Sequence, residues 1–233
     1  MTEQRNNNSC MDRQAGEPVC DVIGAGEFGD GSPAPRSGDL LIAADAGYAA
    51  CIARGLRPDL VIGDFDSMEY PESLRTGSGE VPASAVIRLP VEKDDTDMRA
   101  AVREGWRRGF RRFVLFGGTG GRRTSHTLAN IQLLAEIAER GGQACMKGSG
   151  SFYTVTRNGS FSFPAGLRGD LSVFSLTDRS EGVSISGAKY TLENETLTNL
   201  FPLGVSNSFT GEAGEISVRE GTLLILEEGA VAF

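Results

Sequence analysis

The chain has 233 residues, 39% hydrophobic and 23% charged, with a formal net charge of −8 at pH 7, enough apolar material for two domains with a core each. The acidic balance, with no run of Lys or Arg, argues against nucleic acid and anionic lipid as partners, because both carry the same sign of charge. Cys10, Cys20, Cys51 and Cys145 lie far apart beside a single histidine, His126, which argues against a zinc site or a disulfide framework.

Residues 1–17 are polar and read as a disordered N-terminal tail without the apolar stretch of a signal peptide. No run approaches the length of a membrane span, so a cytoplasmic protein is expected. From there, short apolar runs at 18–23, 39–44, 59–63, 85–89, 111–116 and 142–147 read as strands. Helical patterns fall between them at 46–55, from about Asp94, and at 125–140. In the second of these helices Met98, Ala101, Val102 and Trp106 form the apolar stripe. Acids crowd its first turn, and Arg103, Arg107 and Arg108 sit toward its end, as the macrodipole favours. In the third, the expected buried face is Leu128, Ile131, Leu134, Ala135 and Ala138. Alternation of this kind predicts an α/β domain over 18–147, with a mostly parallel, Rossmann-like sheet.

After Lys147 the pattern changes to period two, with strands expected at 152–156, 161–163, 170–176, 182–186, 214–219 and 222–227. Asn158-Gly159 between the first two is a type I′ hairpin signal. Residues 148–233 are therefore expected to form an antiparallel β-sandwich.

The chemistry concentrates at strand ends. Residues 59–67, Asp-Leu-Val-Ile-Gly-Asp-Phe-Asp-Ser, form an apolar strand that finishes in two acids. If the chain stays extended, Asp64 and Asp66 project to one side. Two carboxylates so close call for a counter-charge, and a hard cation such as Mg2+ with phosphate oxygens supplies one. In parallel sheets ligands bind at this carboxyl edge. Asp45 follows the strand 39–44 and Asp97 lies in a helix first turn, with Asp94 one turn away and Lys93 beside it as a phosphate contact. Each acid also has a plain reading as a helix N-terminal residue.

Residues 117–126, Gly-Gly-Thr-Gly-Gly-Arg-Arg-Thr-Ser-His, precede the third helix. Four glycines allow close backbone approach, amides at a helix N-terminus suit phosphate, and Arg122 adds a bidentate donor. The segment is neither a Walker A sequence nor a GxGxxG match, and a plain loop is the other reading. His126 has two readings, a phosphate contact or a helix cap.

Four segments in order, 41–67, Glu92 to Asp97, Gly117 to Asn130 and Tyr190 to Asn207, resemble the thiamine pyrophosphokinase family, and the likeness runs from about Val19 to about Gly221. The resemblance implies an α/β catalytic domain, a β-sandwich and a homodimer. It implies that ATP and thiamine give thiamine diphosphate and AMP, with Mg2+ as cofactor. Carried over by position, Asp45, Asp64, Asp66 and Asp97 would hold metal or orient substrate, with Asp64, Asp66 and Asp97 as the catalytic acids. Lys93, Asp94, Thr96 and the loop residues Gly118, Thr119, Gly120, Gly121, Arg122 and His126 would meet ATP. Ser206 and Asn207, which read locally as a turn, would lie in the thiamine pocket.

The chain departs from the family pattern at Ser125, where an aspartate is usual, at Ala46 for a glycine, and at Ser208 for a frequent glutamate. Two rivals stay open at this stage. An aspartate-nucleophile phosphatase, suggested by Asp-Phe-Asp, would trap an aspartyl-phosphate. A non-catalytic thiamine or nucleotide sensor, suggested by Ser125, would be stabilised by ligand without releasing AMP.

Overall fold

The computed structural model describes residues 16–28, 32–65, 81–92, 94–121 and 124–232. The tail expected at 1–17 lies outside the described residues except for Gly16 and Glu17. The chain divides into two compact units. One comprises residues 16–133 with 146–149, and the other includes 134–145 and 150–233.

The first unit is built from apolar runs that became buried strands: β1 (Cys20–Ile23), β2 (Leu40–Ala44), β3 (Leu60–Gly63), β4 (Val86–Arg88) and β5 (Arg112–Phe116). All five lie in parallel in the order β5-β1-β2-β3-β4. Strands bought by burial on both faces need continuous apolar sequence, and β1, β2, β3 and β5 are buried throughout. The chain runs outward from β1 to β4 and then returns on the other side of β1, so strand order reverses between β1 and β5.

Helix α1 (Gly47–Ile52) packs on β1 and β2, and α2 (Asp97–Arg107) packs on β1, β2 and β3. Thr96 caps α2, its Oγ1 accepting the Arg99 amide at 3.2 Å, and Asp97 stands in the first turn. Met98, Ala101 and Val102 are buried as the pattern predicts. Trp106 is half-buried and stacks on Phe113 at 5.9 Å. Gly105 brings the helix close to the sheet: a Cβ there would lie 2.8 Å from Cys20 Sγ and 2.9 Å from the Phe113 ring. Cys20 and Cys51 are buried free thiols. Burial pushes the Cys51 thiol up to about 12, so it stays protonated as a core residue.

Helix α3 (Thr124–Glu139) leads to β6 (Gln143–Gly148). Its buried face is Asn130, Leu133, Leu134 and Ile137, whereas Leu128 is 60% exposed. The expected stripe is rotated by one residue, about 100°: of its members only Leu134 is buried, Ile131, Ala135 and Ala138 are half-buried, and Leu128 lies about 200° around the helix from Asn130. Among the described residues, no helix is long and apolar enough to cross a membrane.

The strands of the second half are β7 (Ser151–Arg157), β8 (Ser160–Phe163), β9 (Leu167–Ser175), β10 (Arg179–Ile185), β11 (Leu192–Thr198), β12 (Gly204–Ser208), β13 (Gly214–Ser217) and β14 (Thr222–Ala232). They pair antiparallel in two sheets, as neighbours in the order β12-β9-β14-β7 in one and β11-β10-β13-β8 in the other. Inward residues of both sheets, among them Phe161, Phe163, Val173, Val183, Ile216 and Ile225, form one core, the expected sandwich.

Two strands, β11 and β12, had no counterpart in the sequence reading. The hairpin at Asn158-Gly159 does not form, since β7 pairs with β14 and β8 with β13. Asn158 is left-handed (φ 45) but Gly159 is not, so the type I′ geometry is absent. Instead the Asn158 Oδ1 accepts the Gly221 amide at 2.9 Å, and the pair serves as a corner between sheets.

Candidate active site

The carboxyl edge of the parallel sheet is assembled by close backbone contacts. The Asp45 amide donates to the Ile62 carbonyl at 2.7 Å, tying the end of β2 to that of β3. A Cβ on Gly63 would stand 2.9 Å from Asp45 Cα, so only glycine lets these two strand ends meet. Asp45 and Asp64 therefore leave neighbouring parallel strands, and both are half-buried.

The premise of an extended chain between Asp64 and Asp66 fails at Phe65, which has φ 60. Left-handed backbone breaks the alternation of side chains. The Phe65 side chain is buried in a cluster with Leu41, Tyr48 and Val61, and that burial offsets a conformation costing about 1–2 kcal/mol. Asp66, Lys93 and Arg122 lie outside the described residues.

Asp97 is the first residue of α2 and half-buried, and Asp94 is exposed. The Thr96 hydroxyl is engaged as the helix cap. Asp95, next in line, pairs with Arg99 at 3.3 Å and with Arg103 at 3.1 Å. These three side chains, with Asp94, Leu89, Pro90 and Ala100, line a cavity of about 260 Å³ beside the start of α2.

The glycine-rich loop after β5 meets the segment after β1. Gly24 donates to Phe116, Gly26 to Gly117 and Glu27 to Thr119, each at 2.8 Å. Most of the loop glycines are required by this packing. A Cβ on Gly117 would lie 2.4 Å from the Gly24 carbonyl, on Gly118 2.5 Å from Met146 Sδ, and on Gly120 2.4 Å from Glu27. Gly121 (φ 74) would meet nothing closer than 3.9 Å. Thr119 is buried. His126 lies in the first turn of α3 with its side chain exposed, as does Ser125.

Sequence reasoning missed two parts of this edge. Gly24-Ala25-Gly26 after the apolar run 20–23 is a strand-to-glycine signal of the same kind as 117–121, and it could have been found. Asn130 donates from Nδ2 to the Gly118 carbonyl at 2.8 Å, fastening the loop to α3, and nothing local announces it.

Within the sandwich, Ser206 is exposed with φ 62, and Asn207 is buried in β12. The turn expected at this pair is a strand with a register shift between Gly204 and Asn207.

Among the described residues no three His, Cys, Asp or Glu side chains gather into a metal cluster. Mg2+ at a phosphate site needs only one or two carboxylates, the phosphates completing its shell. Asp45 and Asp64 at adjoining strand ends fit that requirement.

A parallel sheet whose strand order reverses beside β1, with acids at its carboxyl edge and a β-sandwich after it in the chain, is the plan of a two-part ligand-binding α/β protein. The model of the thiamin pyrophosphokinase catalytic domain matches residues 35–146, and that of the thiamin pyrophosphokinase vitamin B1 binding domain matches 165–223. The chain belongs to the thiamine pyrophosphokinase family. It is 27% identical over 188 residues to the thiamine pyrophosphokinase of Bacillus subtilis, covering 80% of this chain and 86% of that protein. The crystal structure of the B. subtilis enzyme has a TM-score of 0.76 at 22% identity, covering 90% of this chain and 98% of that one. A family protein from Enterococcus faecalis gives 0.76 at 26% identity, covering 91% and 99%. The yeast enzyme gives 0.73 at 14% identity, covering 98% and 92%.

Proposed function

We propose that this chain carries out the reaction of its family, in which ATP and thiamine give thiamine diphosphate and AMP. The hydroxyethyl oxygen of thiamine attacks the β-phosphorus of ATP in line. A bond forms between that oxygen and the β-phosphorus, the bond from the β-phosphorus to the α,β-bridging oxygen breaks, and AMP leaves. The alcohol proton passes to a carboxylate at the sheet edge and from there to water.

The protein's task is to position the two substrates and to balance charge. Mg2+, held by Asp64 and Asp66 with Asp45 and Asp97 beside them, would neutralise the phosphate oxygens. Lys93, Arg122 and His126 provide cationic or donor contacts to the phosphates, and Asp94 and Thr96 border them. The amides of Gly118 to Gly121 line the approach, and Gly121 is the position with open space beside it. Ser206 and Asn207 belong to the thiamine pocket. The working protein is a cytoplasmic homodimer.

The observation that supports this reading best is the meeting of Asp45 and Asp64 at neighbouring strand ends, made possible by Gly63. The test is AMP release from Mg·ATP with and without thiamine, in wild type and in Asp64→Asn. Thiamine-dependent AMP that falls by about 100-fold or more in the variant is expected, since it removes a charge that acts on the transition state. Full activity in Asp64→Asn would refute its role, and thiamine binding without AMP release would refute the enzyme.

A further inference from the structure

Asn207 carries three hydrogen bonds that leave its side chain little to offer a ligand. Oδ1 accepts the amides of Tyr190 and Ser208, each at 2.9 Å, and Nδ2 donates to the Tyr190 carbonyl at 2.6 Å. An amide oxygen has two lone pairs and both are taken, as is one of the two Nδ2 hydrogens. The residue is also only 4% exposed.

β12 is the edge strand of its sheet, and the segment 188–190 runs along its outer side. Ala188 pairs with Phe209 and the Lys189 amide donates to the Ser208 carbonyl at 3.0 Å. At the next position Ser206, with φ 62, interrupts the regular strand backbone. The Asn207 amide takes over there, giving Tyr190 the donor and acceptor that a strand neighbour would have supplied. The group held in place is Tyr190, a residue 59% exposed, with Lys189 Nζ over its ring at 5.2 Å from the centroid.

We propose that Asn207 is a positioning residue, not a contact residue, acting on thiamine only through the backbone of Tyr190. The inference rests on the reading that this part of the sandwich binds thiamine. With the Lys189 ammonium over one part of the ring, the exposed remainder suits a fixed cation such as the thiazolium ring. Its orientation depends on the Tyr190 backbone, which Asn207 clamps through the amide and the carbonyl on either side of the Tyr190 Cα.

The test is a double-mutant cycle on the full-length enzyme, with Asn207→Ala, Tyr190→Ala and the pair, reading KM for thiamine and for ATP separately. The expected result is a rise of about tenfold in thiamine KM for Asn207→Ala, the size of one lost buried hydrogen bond, with ATP KM unchanged. In the Tyr190→Ala background, removing Asn207 should change nothing further, because no ring remains to be placed. The same tenfold rise in both backgrounds would mean direct contact and would overturn the proposal while leaving the thiamine site where it is. Unchanged thiamine KM in both single variants would overturn the site itself. If Asn207→Ala does not fold, Asn207→Asp keeps both accepted bonds but turns a second acceptor oxygen toward the Tyr190 carbonyl in place of the donor. Its rise in thiamine KM must likewise vanish with Tyr190→Ala.

Discussion

Glu227 lies on β14 in alternation with Leu223 and Ile225, so its side chain faces the sandwich core. Its register partners are Leu171 on β9 and Phe152 on β7, both apolar. Burial pushes its carboxyl from the ordinary 4.5 up to about 7. Below pH 4.5 the acid is protonated folded or unfolded, and its neutral form contributes fully. As pH rises toward 7 the unfolded chain ionises first, so that contribution is lost, and above 7 the loss is complete. The gap between 4.5 and about 7 is worth about 3 kcal/mol at about 1.4 kcal/mol per pH unit. Glu227→Gln removes the titration while keeping the shape. At pH 8 the variant should be more stable than wild type by up to about 3 kcal/mol, or about 6–12 °C in Tm, and at pH 4 the two should coincide. Calorimetric Tm across pH 4–8 reads this directly. Parallel profiles for the two proteins would refute the argument, because they would mean that Glu227 reaches solvent or a partner when it ionises.

Gly47→Ala should cost about 3 kcal/mol in denaturant unfolding, because the new Cβ would fall 2.0 Å from the Ile23 carbonyl oxygen and backbone on both sides cannot yield. Glu104 on α2 is held down to about 2, chiefly by its hydrogen bond from Arg107 and further by Arg108. Its stabilisation is present above pH 4.5 and lost as pH falls through 2. The arginines are 70% and 38% exposed, so Glu104→Gln should cost only about 1 kcal/mol at pH 7, and Tm measured toward pH 2 should show the difference closing.

The α/β half was legible because its strands and helices carry their own signals. Residues 60–63 are apolar and bounded, and α2 begins with a threonine cap and an acid. The missing strands had no such signal. In β11, Leu-Glu-Asn-Glu-Thr-Leu-Thr, only Leu197 is buried, so neither alternation nor an apolar run marks it. In β12, Gly-Val-Ser-Asn-Ser is held by pairing with β9 and by Asn207 bonding to Tyr190. Both depend on residues distant in the chain. At the site, the acids at strand ends were readable from their position after apolar runs. The glycines of 117–121 were readable as special, but their packing role was not: Gly117, Gly118 and Gly120 admit the segment 24–27 and Met146.

Left-handed backbone ties these observations together. Asp45, Phe65 and Ser206 have φ of 48, 60 and 62, a conformation shared with Asn158 and Asn194; residue chemistry singled out the segments of Asp45 and Phe65, and the family resemblance that of Ser206. Such conformations cost about 1–3 kcal/mol apiece and persist where surrounding structure imposes them. For Asp45 the imposing contact is Gly63 and the bond to Ile62, and for Phe65 it is a buried ring. For Ser206 it is the pairing of Asn207 and Ser208 with β9, together with the clamp on Tyr190. Glycine at any of the three would adopt the same backbone with less strain, so its absence points to a use for the side chain itself. That use is plain for Phe65, which anchors the strand end. For Asp45 and Ser206, whose side chains contribute no comparable apolar packing, the use we propose is contact with substrate, metal or neighbouring polar groups.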